Sequence, residues 1–367
     1  MTLEPYQLAA AQWLAKQKRG AVIAPAGAGK TLVAAKAIAL VLEARPRTGK
    51  VKIGWVAFTR EQVEQAWKAL NAFPAIAQLA DVEVRCAQAY QDWSDKAAII
   101  IDESHKSTSP VFLKQMRTCP GAVWGFTATP KSSDPERDKL FHDLFGGNLH
   151  VVPRSAVANR LVSARVIMLD ASDECREAMD TEIQRLMNIR KRQFSRFKPD
   201  EREIYRMVSW QVARSIGIEQ NVMRNEAIIQ AVSPERRTIV LVNNVEHALA
   251  LEKRIPFARA CYAKMGAKRR REALQAFRDG SVFCLIATSL ADEGLDLPMA
   301  EVLVLASGGR SAAKAEQRTG RVLRTFAGKS EGVIYDFLDR QHPTMENQAK
   351  ARMALYKKLG YRIELPW

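Results

Sequence analysis

A glycine-rich turn near the start of the chain holds the residue types that phosphate binding requires. The segment Ala24-Pro-Ala-Gly-Ala-Gly-Lys-Thr31 follows an apolar run and precedes a helical pattern. Its glycines let backbone N–H groups turn toward phosphate oxygens, Lys30 can reach the β- and γ-phosphates, and Thr31 can hold Mg²⁺. Ala24 stands where the strict G-x-x-x-x-G-K-[ST] pattern has its first glycine. The residues expected to bind the phosphates are Gly27, Ala28, Gly29, Lys30 and Thr31.

A second segment places two carboxylates at the end of a predicted strand. It reads Ala97-Ala-Ile-Ile-Ile-Asp-Glu-Ser-His105. In doubly wound sheets, ligands bind at the carboxyl ends of the strands. Asp102 would hold Mg²⁺, and Glu103 would orient and deprotonate an attacking water. Carboxylates at such a position can also cap the next helix, but the phosphate loop earlier in the chain favours the catalytic interpretation.

Apolar runs that alternate with helical patterns predict the elements that position these residues. In residues 1–152, strands are predicted at Ala21–Ala24, Val51–Phe58, Val82–Cys86, Ala97–Ile101 and Val123–Thr127. In residues 233–367, they are predicted at Thr238–Val242, Val282–Thr288, Glu301–Ala306 and Gly332–Phe337. Strands separated by helices favour parallel sheets, because parallel strands need crossover connections. We therefore expect two α/β domains with parallel sheets.

Residues 153–232 are expected to form a linker and a helical insert, because the pattern from Ser172 onward is charged and helical without strand signals. Six cations stand within fourteen residues that contain no acid: Arg185, Arg190, Lys191, Arg192, Arg196 and Lys198. Phe194 and Phe197 lie among them. Cations for phosphates beside rings for base stacking favour a nucleic-acid surface. A solvated helix whose phenylalanines belong to the core is the alternative.

The composition favours a globular protein with a polyanionic partner. Lys and Arg number 56 against 40 Asp and Glu, so the formal net charge is +16. Such a charge attracts nucleic acid from a distance, although it can also serve solubility alone. Hydrophobic residues make up 47% and charged residues 26%, which excludes intrinsic disorder and collagen-like sequence.

Cysteine spacing and hydropathy predict a cytoplasmic protein without a membrane segment. The five cysteines form no C-x-x-C pair, which excludes a disulfide framework and a zinc site as predictions. No apolar run approaches the ~18 residues that span a bilayer. Met1–Gly20 lacks the apolar core of a signal peptide.

Four segments together resemble the motifs of superfamily 2 helicases of the DExH type. Asp102-Glu-Ser-His105, the phosphate loop before it and Phe126-Thr-Ala-Thr-Pro130 after it resemble the first motor domain. Ala287-Thr-Ser-Leu-Ala-Asp-Glu-Gly-Leu-Asp-Leu-Pro298 resembles motif V, and Gln317-Arg-Thr-Gly-Arg-Val-Leu-Arg324 resembles motif VI. The similarity spans nearly the whole chain. It implies two RecA-like P-loop domains with ATP and Mg²⁺ in the cleft between them.

The resemblance assigns further nucleotide contacts to the second half of the chain. Arg321 and Arg324, three residues apart on a predicted helix, project from one face and would be the arginine fingers that stabilise charge on the γ-phosphate. Gln317 would lie near the γ-phosphate or its water. Gly294 and Asp296 would contact the nucleotide and link it to those arginines. A basic surface helix is the alternative interpretation of motif VI.

The resemblance also implies an adenine contact. Leu3-Glu-Pro-Tyr-Gln7 resembles the Q-motif, in which a glutamine bonds the edge of the base. Gln7 is therefore the expected adenine contact. Many relatives carry a basic residue where this chain has Glu4, and a plain helix cap is the alternative.

Nucleic-acid and coupling contacts follow from other motifs. Phe58-Thr-Arg-Glu61 occupies the place of motif Ia, so Thr59 and Arg60 are expected at the nucleic-acid backbone, together with Thr288 of the motif V segment and Arg190, Lys191 and Arg192 of the insert. Thr127 and Thr129 of motif III, with His105, would couple the nucleotide state to the grip on nucleic acid. A surface turn and hydroxyl residues that cap a strand are the alternatives for motifs Ia and III.

Two residues favour DNA over RNA as the partner. DEAD-box RNA helicases end motif II in Asp and begin motif VI with His, whereas this chain has His105 and Gln317. Gly217–Glu226 and Thr238–His247 are most similar to compact DNA helicases of the XPB and UvsW kind, common in bacteriophage, which would place the protein in an infected bacterium. The resemblance implies a monomeric, ATP-dependent DNA helicase or translocase. An RNA helicase and an ATP-gated nucleic-acid clamp that never unwinds remain as alternatives.

Overall fold

The chain divides into two compact units, Met1–Leu161 and Val162–Trp367. In this computed structural model the described residues are 3–25, 27–44, 49–87, 92–128, 134–160, 162–170, 175–193, 200–288, 297–308, 315, 318–320 and 322–365. No helix among them is long and apolar enough to cross a membrane. All five cysteines are free thiols.

The first unit contains a six-stranded parallel sheet in the order β3-β2-β4-β5-β1-β6. Its strands are β1 (Arg19–Ile23), β2 (Val51–Ala57), β3 (Ala80–Cys86), β4 (Ala98–Ile101), β5 (Ala122–Thr127) and β6 (Leu149–Val151). Its α-helices are α1 (Pro5–Leu14), α2 (Lys30–Glu43), α3 (Arg60–Leu70), α4 (Pro74–Leu79), α5 (Pro110–Thr118) and α6 (Pro135–Leu144), with 3₁₀ turns at Ser104–Thr108 and Arg154–Arg160.

Both faces of this sheet are buried, which explains why β4 is a continuous isoleucine run. Ile100 packs with residues of α1 to α4 on one face. Ile99 and Ile101 pack with residues of α5 and α6 on the other face. Because successive strand residues point to opposite faces, each isoleucine helps to fix β4, and with it the position of the two carboxylates that follow.

The second unit contains a seven-stranded parallel sheet in the order β13-β7-β12-β11-β8-β10-β9. Its strands are β7 (Ser163–Leu169), β8 (Thr238–Val242), β9 (Ala258–Cys261), β10 (Cys284–Thr288), β11 (Val302–Val304), β12 (Glu331–Phe337) and β13 (Arg362–Glu364). Its α-helices are α7 (Arg176–Gln193), α8 (Glu201–Arg214), α9 (Val222–Gln230), α10 (Val245–Arg254), α11 (Ala267–Asp279) and α12 (Pro343–Lys358), with a π-helical turn at Ser215–Glu219.

The prediction of two α/β domains with parallel sheets is confirmed. The helical character of the segment after Ser172 appears as α7, α8 and α9, and α7 and α8 pack around an apolar cluster that includes Met345 of α12. Residues 163–169, which lie in the predicted linker, instead pair with β12 as a strand of the second sheet. Contacts accordingly group residues 162–232 with the second unit.

Candidate active site

The phosphate loop connects β1 to α2 with two glycines in a left-handed backbone conformation. Gly27 has φ 85° and Gly29 has φ 75°, a region that side-chain-bearing residues rarely adopt. Gly29 is the N-cap of α2, a helix of 14 residues whose N-terminal amides and dipole favour an anion. Lys30 Nζ donates to the carbonyls of Ala24, at 3.2 Å, and Pro25, at 3.4 Å. The ammonium therefore lies beside the loop, and the arrangement fits a polyphosphate.

Two residues of α1 hold this loop by a single backbone carbonyl. Tyr6 Oη and Gln7 Nε2 both donate to the carbonyl of Ala28, at 3.0 and 2.8 Å. Gln7 Oε1 accepts from the backbone N–H of Glu4 at 3.0 Å, which completes a capping box at the start of α1. Gln7 is only 1% exposed. Its side-chain contacts are thus with protein backbone, and the adenine contact stays a prediction.

Asp102 is a buried carboxylate at the end of β4. Its side chain accepts from the backbone N–H of Glu103 at 2.9 Å, and the residue is 9% exposed. Burial, and then the neighbouring Glu103 charge, raise the pKa of Asp102 to about 6, while the charges of Lys30 and Lys106 oppose that rise. A desolvated carboxylate beside a second carboxylate favours a bound cation, and Mg²⁺ prefers oxygen ligands. Asp102, with Thr31 at the start of α2, therefore fits a magnesium ion.

His105 connects the second carboxylate to the end of β5. Its Nδ1 lies 3.4 Å from Glu103 Oε2 and 2.9 Å from Thr127 Oγ1. Glu103 itself has φ 46°, a conformation that costs free energy in a residue with a side chain and recurs at functional sites. The structure thus brings together three residues that the sequence assigned separately to catalysis and coupling.

Polar residues of the second unit meet at the carboxyl edge of its sheet. Arg318 Nη1 donates to Ser307 Oγ at 3.1 Å, and Asn243 Nδ2 donates to the Ser307 carbonyl at 2.7 Å. Asn243 follows β8 and Ser307 lies shortly after β11, which are adjacent strands. Thr288, buried at the end of β10, is paired in register with Val242 of β8. Segments of the motif V and motif VI regions are therefore anchored at one edge.

Arg318 and Tyr6 were not expected from the sequence. Arg318 occupies a position that the motif VI pattern leaves open, and Tyr6 stands beside the glutamine on which the Q-motif resemblance rests. Their contacts are tertiary, so no local pattern could have indicated them.

Three of the other predicted site residues have described positions: Thr59, Arg190 and Arg324. Thr59 is the N-cap of α3, and its Oγ1 accepts from the backbone N–H of Gln62 at 3.2 Å. Arg190 and Arg324 are half-buried in the second unit. Five of the predicted residues lie outside the described part of the chain: Thr129, Gly294, Asp296, Gln317 and Arg321. For three others, the backbone is described but the side chain is not: Arg60, Lys191 and Arg192.

His247 makes the stability of the second unit depend on pH. It is 3% exposed on α10, with Nε2 2.8 Å from Asn225 Oδ1. Burial, and then the Arg224 charge, lower the pKa of His247 from 6.5 to about 4. Because the folded state keeps this imidazole neutral, its contribution is complete above pH 6.5 and falls as the pH drops toward 4, by up to about 3 kcal/mol.

Unfolding free energies of the unmodified protein and of His247→Gln, measured between about pH 7 and about pH 4, check this expectation. The unmodified protein should lose more stability than the variant. Equal losses in the two proteins would show that His247 is not the source.

Two family models match the chain. Residues 1–87 match the model described as "Type III restriction enzyme, res subunit", and residues 223–326 match "Helicase conserved C-terminal domain". The "DNA 3'-5' helicase XPB" of Mycobacterium tuberculosis is 26% identical over 98% of this chain and 65% of that protein. The "DNA 3'-5' translocase XPB2" of Sulfurisphaera tokodaii is 23% identical over 88% of this chain and 78% of that protein. The chain thus spans about two thirds of the length of the M. tuberculosis protein.

Solved helicase structures share the fold. The Hef helicase domain of Pyrococcus furiosus aligns with a TM-score of 0.56 at 17% identity, covering 91% of this chain and 95% of that one. S. cerevisiae Dbp5 bound to RNA and ADP BeF3 aligns with a TM-score of 0.63 at 14% identity, covering 100% and 90%. The two parallel-sheet units therefore have the RecA-like fold of these helicases, and the expected fold class is confirmed.

The matched models and the shared fold thus make this chain similar to helicases. Over most of its length the chain is similar to the XPB helicases.

Proposed function

We propose that the protein is a DExH-type helicase or translocase that couples ATP hydrolysis to movement along DNA, or to its remodelling. The observation that carries the proposal is the grouping, in one unit, of Lys30 with the Asp102 carboxylate, and of Glu103 with His105 and Thr127. DNA as the partner is supported by the net charge of +16 and by relatives whose names describe DNA helicases and translocases. We further propose that the protein acts as a monomer.

Hydrolysis in this proposal uses the residues that the motifs assign to ATP. Lys30 and the N-terminal amides of α2 bind the phosphates, and Glu103 orients a water and takes its proton as the water attacks the γ-phosphorus. The bond from that phosphorus to the bridging oxygen of the β-phosphate breaks, so ADP leaves and inorganic phosphate forms. Thr31 and Asp102 would hold Mg²⁺, which neutralises phosphate charge when bound. Arg321 and Arg324 stabilise the charge that develops on the γ-phosphate, with Gln317 beside the attacking water.

Coupling in this proposal runs from the nucleotide to the DNA backbone. Gln7, Gly294 and Asp296 contact the nucleotide. The nucleotide state is transmitted by His105, Thr127 and Thr129. The DNA is contacted by Thr59, Arg60 and Thr288. The two domains then change their grip in alternation as ATP binds and is hydrolysed.

Strand displacement separates this proposal from an ATP-gated clamp, because both functions use the same nucleotide residues. A labelled forked DNA is incubated with protein and ATP, and binding is measured in the same sample. ATP-dependent release of the labelled strand supports a helicase. Tight binding without release supports the clamp, and release from an RNA duplex in preference to the DNA fork would identify RNA as the substrate.

The basic part of α7 supplies a prediction about the DNA contact. The combined variant Arg190→Ser/Lys191→Ser/Arg192→Ser removes three cations, so DNA affinity should fall several-fold. The slope of the logarithm of the binding constant against the logarithm of the salt concentration should become less steep by up to about three. The matched control Lys357→Ser/Lys358→Ser removes exposed cations from the end of α12. DNA affinity and DNA-dependent ATPase activity equal to those of the control would exclude the insert from the DNA interface.

A further inference from the structure

A lysine next to the catalytic carboxylates also contacts the segment that precedes α3. Lys106 lies in the 3₁₀ turn after β4, and its backbone N–H donates to the Glu103 carbonyl at 2.9 Å. Its Nζ lies 5.0 Å from the centroid of the Phe58 ring, within the range of a cation–π interaction. One half-buried side chain therefore joins the end of β4 to the end of β2.

The backbone of Phe58 is held together with the Thr59 cap of α3. The backbone N–H groups of Phe58 and Thr59 both donate to Gln62 Oε1, at 2.8 and 3.2 Å. Gln62 is buried, and its own N–H donates to Thr59 Oγ1. The Phe58 ring packs against Phe112 of α5, with centroids 5.4 Å apart. The same Gln62 side chain therefore holds the Phe58 backbone and the Thr59 cap, so a movement of the Phe58 main chain would also move the cap.

Lys106 also interacts electrostatically with the Asp102 carboxylate. The charge of its ammonium acts on the Asp102 carboxylate, as the charge of Lys30 does. Nucleotide binding, hydrolysis and phosphate release each change the net negative charge in that region. A more negative site attracts the ammonium more strongly toward the carboxylates, and a less negative site lets it interact more strongly with the Phe58 ring.

We propose that Lys106 is a positioning residue through which the charge state of the Asp102–Glu103 site sets the position of Phe58 and Thr59, and hence the grip on DNA. This inference rests on the proposed function, because it requires that Thr59 contacts DNA. It is separate from the His105–Thr127 contact, since Lys106 acts on the β2–α3 connection and His105 acts on the end of β5.

The test compares Lys106→Met, which keeps an unbranched apolar stem, with Lys106→Arg, which keeps the cation. Two quantities are measured: the ratio of DNA-stimulated to basal ATPase activity, and the ratio of DNA affinities with a non-hydrolysable ATP analogue and with ADP. Lys106→Met should reduce both ratios by about two- to fivefold, and Lys106→Arg should restore most of the loss. Lys114→Met, an exposed lysine of α5, is the matched control and should leave both ratios unchanged.

A double-variant cycle tests the route through the ring. Phe58→Leu should lower the same ratios, and Lys106→Met/Phe58→Leu should be no worse than either single variant, because both remove one interaction. Additive losses would overturn the ring contact as the route. Thermal unfolding of every variant shows whether a loss of folding accounts for a change, and Lys106→Arg remains informative if Lys106→Met unfolds.

Failure of this inference differs from failure of the proposed function. If the unmodified protein is stimulated by DNA and Lys106→Met keeps both ratios, only the role of Lys106 is overturned. If the unmodified protein shows neither stimulation nor nucleotide-dependent DNA affinity, the proposed function and the role of Lys106 are both overturned.

Discussion

Glu103→Gln is expected to lower ATP turnover by about 10²- to 10⁴-fold while ATP binding persists. The amide keeps the shape of the side chain but cannot accept the proton of the attacking water. Binding should persist because the Glu103 charge raises the pKa of Asp102, and removing that charge favours the ionised Asp102 carboxylate. Turnover is measured with saturating DNA, and binding is measured by equilibrium titration with a fluorescent ATP analogue.

The matched control for this substitution is Glu43→Gln, an exposed carboxylate at the far end of α2. It should leave turnover and ATP binding unchanged. Turnover in Glu103→Gln that stays within about tenfold of the unmodified protein would assign the base to another group. Loss of ATP binding in that variant would instead indicate that Glu103 maintains the structure of the site.

Asp336→Ala is expected to destabilise the second unit by about 3–5 kcal/mol, because it leaves a buried guanidinium without its carboxylate. Asp336 on β12 is 0% exposed. It accepts from Arg352 Nε at 2.8 Å, from Arg352 Nη2 at 2.9 Å and from Tyr356 Oη at 2.8 Å. Both donors lie on α12, so this cluster fixes that helix to the sheet.

Unfolding by urea, followed by circular dichroism, measures this loss. Lys350→Ala breaks a solvent-exposed pair with Glu346 on the same helix, so it should cost under about 1 kcal/mol. If Asp336→Ala costs no more than this control, the buried cluster does not stabilise the unit. A reduced slope of the transition would indicate that α12 detaches before the rest of the unit unfolds.

The sequence predicted most strands of the two sheets, but it missed the short edge strands β6, β9 and β13 and the internal strand β7. The prediction for β8, Thr238–Val242, has the observed bounds because all five residues are buried and four of them are β-branched, with strong strand preference. At the edge of the same sheet, β9 is the short run Ala-Arg-Ala-Cys, with little strand preference. β7 was missed because Arg165 interrupts its apolar pattern, and only the fold places that arginine 3.1 Å from Glu331 and 3.8 Å from Glu364.

The sequence could assign roles only to site residues that belong to short local motifs. Lys30 and Asp102 were expected to share a site, and in the structure the charge of Lys30 opposes the rise in the pKa of Asp102. The contacts of Tyr6 with the Ala28 carbonyl and of Lys106 with the Phe58 ring could not be predicted, since they join segments that are distant in sequence. For Gln7, the motif predicted its position in the sequence but not its hydrogen bonds with the Glu4 N–H and the Ala28 carbonyl.

ATP hydrolysis should be measured first without nucleic acid and then with single-stranded DNA, duplex DNA, forked DNA and RNA, with Lys30→Ala as the blank. A nucleic-acid motor predicts large stimulation by at least one DNA substrate, greater than that by RNA, and no stimulation of the Lys30→Ala variant. Stimulation by RNA alone would contradict DNA as the substrate. Tight binding to DNA with no stimulation by any nucleic acid would contradict the coupling of hydrolysis to movement.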